Sequence, residues 1–415
     1  MEPVIVIGGG VGGLTLALAL HRAGVPCAVY EAVPEIKGIG VGINLLPHAM
    51  RELDALGVMD ALAAVAIETE EAAFYNRFGQ HIYTEPLGRY AGYPWPQLSI
   101  HRGDLQMVLL AAVRERIGAE NVHAGRQCVR VDQDERGVTV TFADAATGAE
   151  SAVRGAAAIG CDGIRSAVRK QLHPDEGEPR YSGVNMWRGV TVWEPVLSGA
   201  TFVRAGWLAH GKLVLYPIRD RVDAQGRQLL NWVAEIETPH HTVRDWNRRG
   251  SLDDFIGAFA DWHFDWCDVP ALMRASETIL EYPMVDQDPL PWWTRGRITL
   301  LGDAAHPMVP RGSNGAGQAT VDAHVLAAEL KRHGDDVPEA LRGYEAIRLP
   351  ATANVVLTNR RNPPDAILRI VHERTGDRPF ERIDEVVSRE ELVALTDSYK
   401  RVAGYDRETL GTPAS

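Results

Sequence analysis

Residues 4–13 read VIVIGGGVGG, and this stretch decides the fold. The β-branched run at residues 4–7 is short enough for one buried strand, and glycines follow it at once. Apolar residues at helical spacing then run as far as Gly24, which predicts a helix and its end. Residues 27–31 predict a second strand that finishes at Glu31. Together these elements predict a βαβ unit, which is typical of an α/β fold on a parallel sheet.

The spacing of the glycines indicates what this unit binds. Gly8, Gly10 and Gly13 match the G-x-G-x-x-G pattern in the strand, turn and helix context that it requires. Gly8 permits the tight turn, Gly10 lets backbone N–H groups approach a pyrophosphate, and Gly13 lets the helix pack closely on the strand. Glu31 is placed to accept hydrogen bonds from a ribose. The pattern predicts a dinucleotide site and leaves NAD and FAD open.

Two later segments distinguish between these dinucleotides. Residues 156–163 and 297–306 are each a short apolar run followed by a turn, GCDG with Asp162 and GDAAH with Asp303. Asp303, at the carboxyl end of a predicted strand, is placed to accept a hydrogen bond from a flavin ribityl hydroxyl. Taken singly, each aspartate is more simply a helix N-cap. The pair of motifs resembles that of the flavoprotein aromatic hydroxylases, the p-hydroxybenzoate hydroxylase class, and the resemblance implies FAD.

Two further motifs resemble the same family. Residues 38–44 (GIGVGIN) are similar to the segment that skirts the flavin ring, which implies cofactor contacts from Val41 and Gly42. Residues 100–106 (IHRGDLQ) are similar to a segment that places Arg102 against the FAD. Asp104 is interpreted as the N-cap of a helix. The alternative for Arg102 is a solvated side chain, although a cation there opposes the helix dipole.

Residues 307–318 (PMVPRGSNGAGQ) are interpreted as a loop, followed by a helix from about residue 319 to residue 330. Three glycines allow the backbone of this loop to approach a flat ring. The resemblance implies that the loop binds the flavin and that Pro310 lies beside the flavin face where substrate binds. Backbone N–H groups there would stabilise negative charge on the reduced ring. The implied flavin-binding residues of the loop are Gly312, Asn314, Gly315 and Ala316. The alternative is a glycine-rich surface loop.

Composition excludes several classes of protein. The chain has 415 residues and a net charge of -12, which repels nucleic acid and anionic membrane surfaces. The sequence shows no signal peptide and no apolar run of 18 residues, and its four cysteines are widely spaced, so we expect a cytoplasmic protein. His240-His241 and residues 262–265 lack metal-ligand spacing, so no metal is predicted. The protein is expected to be a monomer or a homodimer.

The predicted fold is a three-layer, Rossmann-like FAD-binding domain with an inserted mixed β-sheet. Residues 1–75, 100–180 and 285–340 are assigned to the FAD-binding domain, and residues 76–99 and 181–284 to a substrate-binding sheet. Residues 341–415 are assigned to a helical C-terminal region. Nine of the ten tryptophans lie from Trp187 to Trp293. An aromatic-rich sheet suits a flat aromatic substrate, although most of these rings are expected to serve packing.

Arg188 is the main catalytic candidate. On a strand predicted at residues 185–193, Met186, Arg188 and Val190 share one face. Burial of an arginine there is costly without an anionic partner, which a flavin edge or a substrate carboxylate would provide. Tyr216, on the next predicted strand, is a second candidate that would orient the substrate ring. The alternative for Arg188 is a surface ion pair worth under about 1 kcal/mol.

Four runs make the resemblance more specific: residues 101–107, 186–191, 245–248 and 282–286. They are similar to the branch that contains 5-methylphenazine-1-carboxylate 1-monooxygenase, and salicylate-like hydroxylases share the flavin motifs. The resemblance implies that NADH or NADPH reduces FAD and that O2 then forms a flavin C4a-hydroperoxide. This would hydroxylate a small aromatic or heteroaromatic substrate, with or without decarboxylation. Two alternatives stay open: an FAD-dependent reductase of isoprenoid type, and a non-catalytic flavin-binding regulator.

Overall fold

The computed structural model describes residues 2–238, 248–361 and 363–411. His240, His241 and residues 245–247 therefore lie outside the described residues.

The strands are β1 (Val4–Ile7), β2 (Cys27–Glu31), β3 (Gly42–Leu45), β4 (Ile67–Glu68), β5 (Glu71–Tyr75), β6 (His81–Pro86), β7 (Leu98–His101), β8 (Val122–Ala124), β9 (Arg126–Gln133), β10 (Val138–Asp144), β11 (Glu150–Gly155), β12 (Ala157–Gly160), β13 (Arg180–Trp193), β14 (Thr201–Gly206), β15 (Lys212–Arg219), β16 (Gln228–Glu237), β17 (Arg248–Arg249), β18 (His263–Phe264), β19 (Cys267–Asp268), β20 (Ile279–Asp286) and β21 (Ile298–Leu300). The helices are α1 (Val11–Ala23), α2 (Pro47–Ala55), α3 (Met59–Ala63), α4 (Arg102–Ile117), α5 (Ala167–Leu172), α6 (Val269–Arg274), α7 (Gly315–His333), α8 (Val337–Arg361), α9 (Ala366–Thr375), α10 (Arg389–Ala403) and α11 (Arg407–Leu410).

The predicted βαβ unit forms the centre of a five-stranded parallel sheet. Its order is β21-β12-β1-β2-β8, and all four residues of β1 are buried. Helices α1, α4 and α7 pack together, and the antiparallel sheet β11-β10-β9 forms a third layer. The Tyr30 ring of β2 stacks on the Phe142 ring of β10 with centroids 4.4 Å apart. The three-layer α/β prediction is confirmed.

A larger mixed sheet carries the aromatic residues. Its eight strands run in the order β17-β20-β13-β16-β15-β14-β5-β6, and only the β14–β5 pair is parallel. Trp187 and Trp232 lie in a core with Phe255, Phe259 and Trp262 on one face. The small sheet β3-β7-β4 lies against β15 of the large sheet. This contact brings the Gly42 segment to the large sheet.

Helices α8, α9, α10 and α11 confirm the predicted helical C-terminal region. Helix α8 packs on α7, and α10 packs on α8. Residues of α9 and α10, among them Ile367 and Leu392, share a core with Phe74 of β5 and Ile82 of β6. Helix α10 is therefore fixed between the FAD-binding layers and the large sheet. The predicted domain limits stay predictions.

The starts of two helices differ from expectation. Helix α4 begins at Arg102 with His101 as its N-cap, so the interpretation of Asp104 as the N-cap was wrong. Asp104 lies in the first helical turn, where both its carboxylate oxygens accept hydrogen bonds from Arg219 at 2.6 Å. Helix α7 begins at Gly315, about four residues before the predicted start. Positive φ angles at Gly312 (89°) and Ser313 (56°) turn the chain just before it.

In the part of the chain that the structure describes, no helix is long and apolar enough to cross a membrane.

Candidate active site

The three glycines of the first loop have different surroundings. A Cβ atom on Gly8, whose φ is +113°, would lie 2.4 Å from the Cys161 carbonyl oxygen. One on Gly13 would lie 1.9 Å from the Gly8 carbonyl oxygen. One on Gly10 would meet no protein atom within 4 Å. Gly8 and Gly13 are therefore required by the protein's own packing, whereas Gly10 borders open space at the start of α1, where a pyrophosphate can approach.

Two side chains from other elements, Glu31 and Gln106, form hydrogen bonds to the backbone of the glycine loop. Glu31, at the end of β2, accepts hydrogen bonds from the backbone N–H groups of Gly9 (2.6 Å) and Val33 (3.0 Å). Gln106 of α4 donates through Nε2 to the Gly9 carbonyl oxygen at 2.9 Å. Arg102 is exposed at the start of α4, and its Cβ would lie 3.2 Å from a Cβ on Gly40. Contacts within the protein therefore fix the shape of the loop.

The two motif aspartates differ in what their carboxylates contact. Asp162 accepts hydrogen bonds from the Ser166 hydroxyl (2.5 Å) and the Ala167 N–H (2.7 Å) beside α5, which is a capping role. Burial raises the pKa of Asp162, and these hydrogen bonds oppose the rise. Asp303 is exposed in the turn after β21, and its Oδ1 lies 3.7 Å from the position of a Cβ on Gly315. The Asp303 carboxylate therefore faces open space beside the start of α7.

The start of α7 is open as well. Gly315 and Ala316 are its first two residues, and both are only half-buried. The preceding residue, Asn314, makes no side-chain hydrogen bond to the helix N-terminus. Its Nδ2 donates instead to the Gly312 carbonyl oxygen at 3.0 Å. Pro310 is exposed in the same loop. The start of α7 therefore has free backbone donors beside Asp303.

Arg188 and Tyr216 converge on the Gly42 segment. Arg188 donates through Nη2 to the Gly42 carbonyl oxygen at 2.9 Å, and the Gly42 N–H donates to Asn231 Oδ1 at 2.7 Å. The Arg188 Nε is buried and has no hydrogen-bond partner among the described residues. The Tyr216 ring lies against the same segment, because its Cε2 would be 2.7 Å from a Cβ on Gly42. Burial raises the pKa of Tyr216, although the nearby Arg188 charge opposes the rise. Tyr216 therefore stays protonated at neutral pH.

The strands that carry Arg188 and Tyr216 are not neighbours in the sheet, although the order of the predicted strands along the chain suggested that they would be. Strand β16 lies between β13 and β15, so the two side chains meet across one intervening strand. Trp187 packs into the aromatic core on the opposite face from Arg188, which is the alternation expected of a strand. Val41 holds the other edge of the segment, because its carbonyl oxygen accepts the Arg102 N–H at 2.9 Å.

Four residues of this region carry no local motif: His48, Arg204, Asn231 and Tyr399. The Arg204 guanidinium carbon lies 4.3 Å from the centroid of the Phe202 ring and 5.3 Å from that of Phe74. No described residue forms a hydrogen bond or an ion pair with its guanidinium. Side chains alternate between the two faces of a strand, and this pattern, which predicted the position of Arg188, predicts the position of Arg204 on β14 equally well.

Metal ligands were not predicted, and the histidine candidates have other contacts. His263 lies 3.2 Å from Asp268 through Nδ1. Across residues 2–238, 248–361 and 363–411, no group of three or more His, Cys, Asp or Glu side chains is arranged to hold a metal ion.

The geometry fits an elongated anionic dinucleotide with a flat ring. Gly10 and the exposed Asp303 border open space, and the starts of α1 and α7 present N–H groups that favour negative charge. The FAD binding domain family matches residues 1–228 and 279–359. The chain belongs to this family. FAD is therefore its cofactor, as the motifs predicted.

Relatives in this family are similar along nearly their whole length. A phenazine 1,6-dicarboxylic acid hydroxylase from Lysobacter antibioticus is 42% identical over 404 residues, which cover 96% of both chains. A 3-amino-4-hydroxybenzoate 2-monooxygenase from Streptomyces platensis is 34% identical over 418 residues, 99% of this chain and 97% of the relative. The solved structure of Klebsiella pneumoniae HpxO with FAD and uric acid has a TM-score of 0.73 and 26% identity, covering 98% of this chain and 94% of that one.

These comparisons confirm the prediction of an FAD-dependent monooxygenase, an oxidoreductase that uses NAD(P)H and O2. They do not favour a reductase of isoprenoid type or a non-catalytic regulator. The predicted resemblance to the aromatic hydroxylases is confirmed as well.

His48 makes the site sensitive to acid. Its ring is 2% exposed, and both ring nitrogens are buried without a partner among the described residues. Burial, and then the charges of Arg348 and Arg51, lowers the pKa of His48 to about 3. A Cβ on Gly317 would lie 2.5 Å from His48 Nε2, so the ring lies directly against the first turn of α7.

We expect a specific loss of stability as the pH falls below 6.5. The folded-state pKa lies below that of an unfolded histidine, so the contribution of His48 is complete above pH 6.5 and is lost as the pH falls toward 3. At pH 5 the loss amounts to roughly 2 kcal/mol, about 1.4 kcal/mol per pH unit. Urea unfolding of the wild type and of His48→Leu at pH 7.5 and at pH 5 measures this loss of unfolding free energy. Equal losses in the two proteins would contradict the assignment.

Proposed function

We propose that this flavin monooxygenase hydroxylates an aromatic carboxylate and that Arg204 binds the carboxylate group of the substrate. The observation that carries the proposal is the Arg204 guanidinium, which is half-buried and without a hydrogen-bond partner among the described residues. None of the Arg204 nitrogens is among the buried atoms without a partner, so its donors face open space and can bind an anionic group of a ligand. The names of the two relatives above, a phenazine dicarboxylic acid hydroxylase and an aminohydroxybenzoate monooxygenase, both refer to aromatic carboxylates and support this substrate class.

Arg204 shares a face with the residues that meet at Gly42. Val203 and Ala205 belong to the aromatic core on the other side of the sheet, so Phe202 and Arg204 point away from that core. The Phe202 ring stacks on the Tyr216 ring with centroids 4.9 Å apart. Arg204 therefore lies one aromatic ring away from Tyr216.

The aromatic contacts of Arg204 favour carboxylate binding. The guanidinium lies near the faces of two rings, which stabilise its charge and fix its plane. Its N–H donors lie in that plane and can bind both oxygens of a carboxylate. A lysine would offer neither the stacking nor the paired donors.

The residues of this chain bind and orient, and the cofactor supplies the redox chemistry. When bound, FAD would supply the redox chemistry: NAD(P)H provides two electrons, one oxygen atom of O2 goes to the substrate and the other leaves as water. We propose that Arg188 and the protonated Tyr216 hold the substrate ring over the Gly42 segment and that Pro310 borders the same space. Buried surroundings at Tyr216 exclude water from the reacting ring. The residues proposed to bind FAD are Gly8, Gly10, Gly13, Glu31, Val41, Gly42, Arg102, Asp162, Asp303, Gly312, Asn314, Gly315 and Ala316. Asn314 would contribute its backbone, because its side chain is bonded within the protein.

A cytoplasmic location and a monomeric or homodimeric state remain part of the proposal. All four cysteines are free thiols, three of them buried, which fits a reducing compartment.

Labelled oxygen and one variant test the function together. The protein is assayed with NAD(P)H and ¹⁸O2 on an aromatic carboxylate, such as salicylate or phenazine-1-carboxylate, and on the matching amide. We expect the acid to stimulate NAD(P)H oxidation and to give a product with one ¹⁸O atom. Arg204→Met keeps the side-chain stem and should raise KM for the acid at least about tenfold, because a charged hydrogen bond contributes roughly 1.5–3 kcal/mol and about 1.4 kcal/mol is a factor of ten. KM for the amide should not change.

Two results would contradict the proposal. Product oxygen that comes only from water would exclude oxygen transfer from O2. Equal effects of Arg204→Met on the acid and on the amide would show that Arg204 does not bind the carboxylate.

A further inference from the structure

The residue before α7 does not cap the helix. Asparagine is among the strongest N-cap residues, because its side-chain oxygen accepts a hydrogen bond from one of the first free N–H groups. Asn314 stands at that position, yet its side chain makes no such bond. The first intrahelical bond is the one from the Gln318 N–H to the Asn314 carbonyl oxygen at 2.8 Å. The N–H groups of residues 315–317 therefore have no partner within the helix.

The Asn314 side chain is held elsewhere by a residue far along the chain. Its Nδ2 donates to the Tyr399 hydroxyl at 2.9 Å, in addition to Gly312. The Tyr399 hydroxyl in turn donates to Asn359 Oδ1 at 2.6 Å. Asn314, Asn359 and Tyr399 are 1%, 0% and 2% exposed, so water cannot replace these bonds. The Tyr399 hydroxyl therefore accepts one hydrogen bond, from Asn314, and donates another, to Asn359.

The backbone of the loop is shaped to admit this hydroxyl. A Cβ on Gly312 would lie 1.9 Å from the Tyr399 oxygen, so only glycine fits there. Asn359 Nδ2 also donates to the Val309 carbonyl oxygen at 3.4 Å, at the other end of the loop. At the end of α10, the Ala403 carbonyl oxygen accepts a hydrogen bond from Gln318 Nε2 at 3.0 Å. Helix α10 is thus joined to both sides of the α7 start.

A capping side chain and a bound anion compete for the same N–H groups. The helix dipole and the free donors favour any negative group placed at the first turn. If Asn314 turned inward it would occupy one donor and place its amide where a ligand has to approach. In the structure Nδ2 bonds Tyr399 and Gly312 instead, and Oδ1 accepts a hydrogen bond from the Gln318 side chain at 3.4 Å rather than from a backbone N–H of the first turn.

We propose that Tyr399 is a positioning residue for FAD: its hydroxyl holds the Asn314 side chain away from α7 and keeps the first N–H groups of the helix free for the cofactor. Tyr399 lies beyond residue 359, where the match to the FAD binding domain family ends. The proposal depends on FAD binding at this helix and is independent of the substrate.

The test is the affinity of the full-length apoprotein for FAD, followed by quenching of flavin fluorescence. Tyr399→Phe keeps the ring and removes both hydrogen bonds of the hydroxyl. The Asn314 side chain then keeps only its bonds to the Gly312 carbonyl oxygen and to Gln318 Nε2, so it is less firmly held and can turn to cap the helix. A cap contributes about 1 kcal/mol, so the FAD Kd should rise about fivefold. In Tyr399→Phe/Asn314→Ala no amide remains to compete, and FAD affinity should recover relative to Tyr399→Phe.

Tyr344→Phe is the matched control. It also removes one buried tyrosine hydroxyl, which donates to the Leu300 carbonyl oxygen at 3.0 Å away from the α7 start. We expect a similar loss of thermal stability and an unchanged FAD Kd. An unchanged Kd in Tyr399→Phe would overturn the proposal. A double variant that binds FAD more weakly than Tyr399→Phe would also overturn it, because a purely structural role predicts that the losses add.

Discussion

Arg188→Ala is expected to lower kcat/KM for the aromatic substrate on the order of a hundredfold, or roughly 2.7 kcal/mol of transition-state stabilisation, while the protein still folds and binds FAD. The side chain joins the large sheet to the Gly42 segment through one hydrogen bond, and its buried Nε still lacks a partner among the described residues. We infer that the flavin or the substrate accepts the remaining hydrogen bonds of the Arg188 guanidinium. Alanine would remove this charge and the hydrogen bond to the Gly42 carbonyl oxygen.

Steady-state kinetics and the ratio of product to NAD(P)H consumed measure this effect. Arg130→Ala is the control, because Arg130 forms an exposed pair with Asp132 on the antiparallel sheet, away from the site. Wild-type turnover and coupling in Arg188→Ala would show that the pocket is built from other residues. A loss of FAD binding would instead assign Arg188 a structural role.

Alanine at Gly10 and alanine at Gly13 are expected to damage the protein in different ways. At Gly13 the new Cβ would collide with the Gly8 carbonyl oxygen, so the apoprotein itself should lose several kcal/mol of stability, about the cost of an overpacked core, and fold poorly. At Gly10 the new Cβ meets no protein atom, so the apoprotein should unfold at the wild-type temperature. It should nevertheless bind FAD about a hundredfold more weakly, because a methyl group separates the backbone donors from the pyrophosphate.

Thermal unfolding of the apoproteins and FAD titration distinguish the two effects. Gly177→Ala is the control, since Gly177 is exposed and a Cβ there has no neighbour within 4 Å. Wild-type FAD affinity in Gly10→Ala would place the pyrophosphate elsewhere.

The elements of the proposed cofactor site could be predicted because their signals are local. The strand, turn and helix around Gly8 lie within one short stretch, and each glycine's role depends on near neighbours. The face of β13 that carries Arg188 followed from alternation alone. The error at Asp104 was also local: a residue of capping type stood two residues inside a helix whose N-cap is His101. A capping residue predicts a helix start only to within a few positions.

The remainder of the site depends on contacts between distant parts of the chain. Asn231 and Gly42 are 189 residues apart, and Tyr399 and Asn314 are 85 apart. Nothing in the sequence near Tyr399 or Asn231 distinguishes these residues from ordinary packing residues. The position of β16 between β13 and β15 could not be read from chain order, because neighbouring strands in a sheet need not be consecutive. Only the assembled sheet places Tyr216 beside Arg188.

The strand order of the parallel sheet has a consequence for synthesis of the chain. Strand β12 pairs with β1 on one side and with β21 on the other, and all strands from β13 to β20 are made between β12 and β21. Until β21 leaves the ribosome, β12 remains an unpaired sheet edge, which is prone to join other chains. The loop that carries Asp303 follows β21 directly. The β12 edge of the sheet and the Asp303 loop are therefore completed only when the chain is nearly three-quarters made.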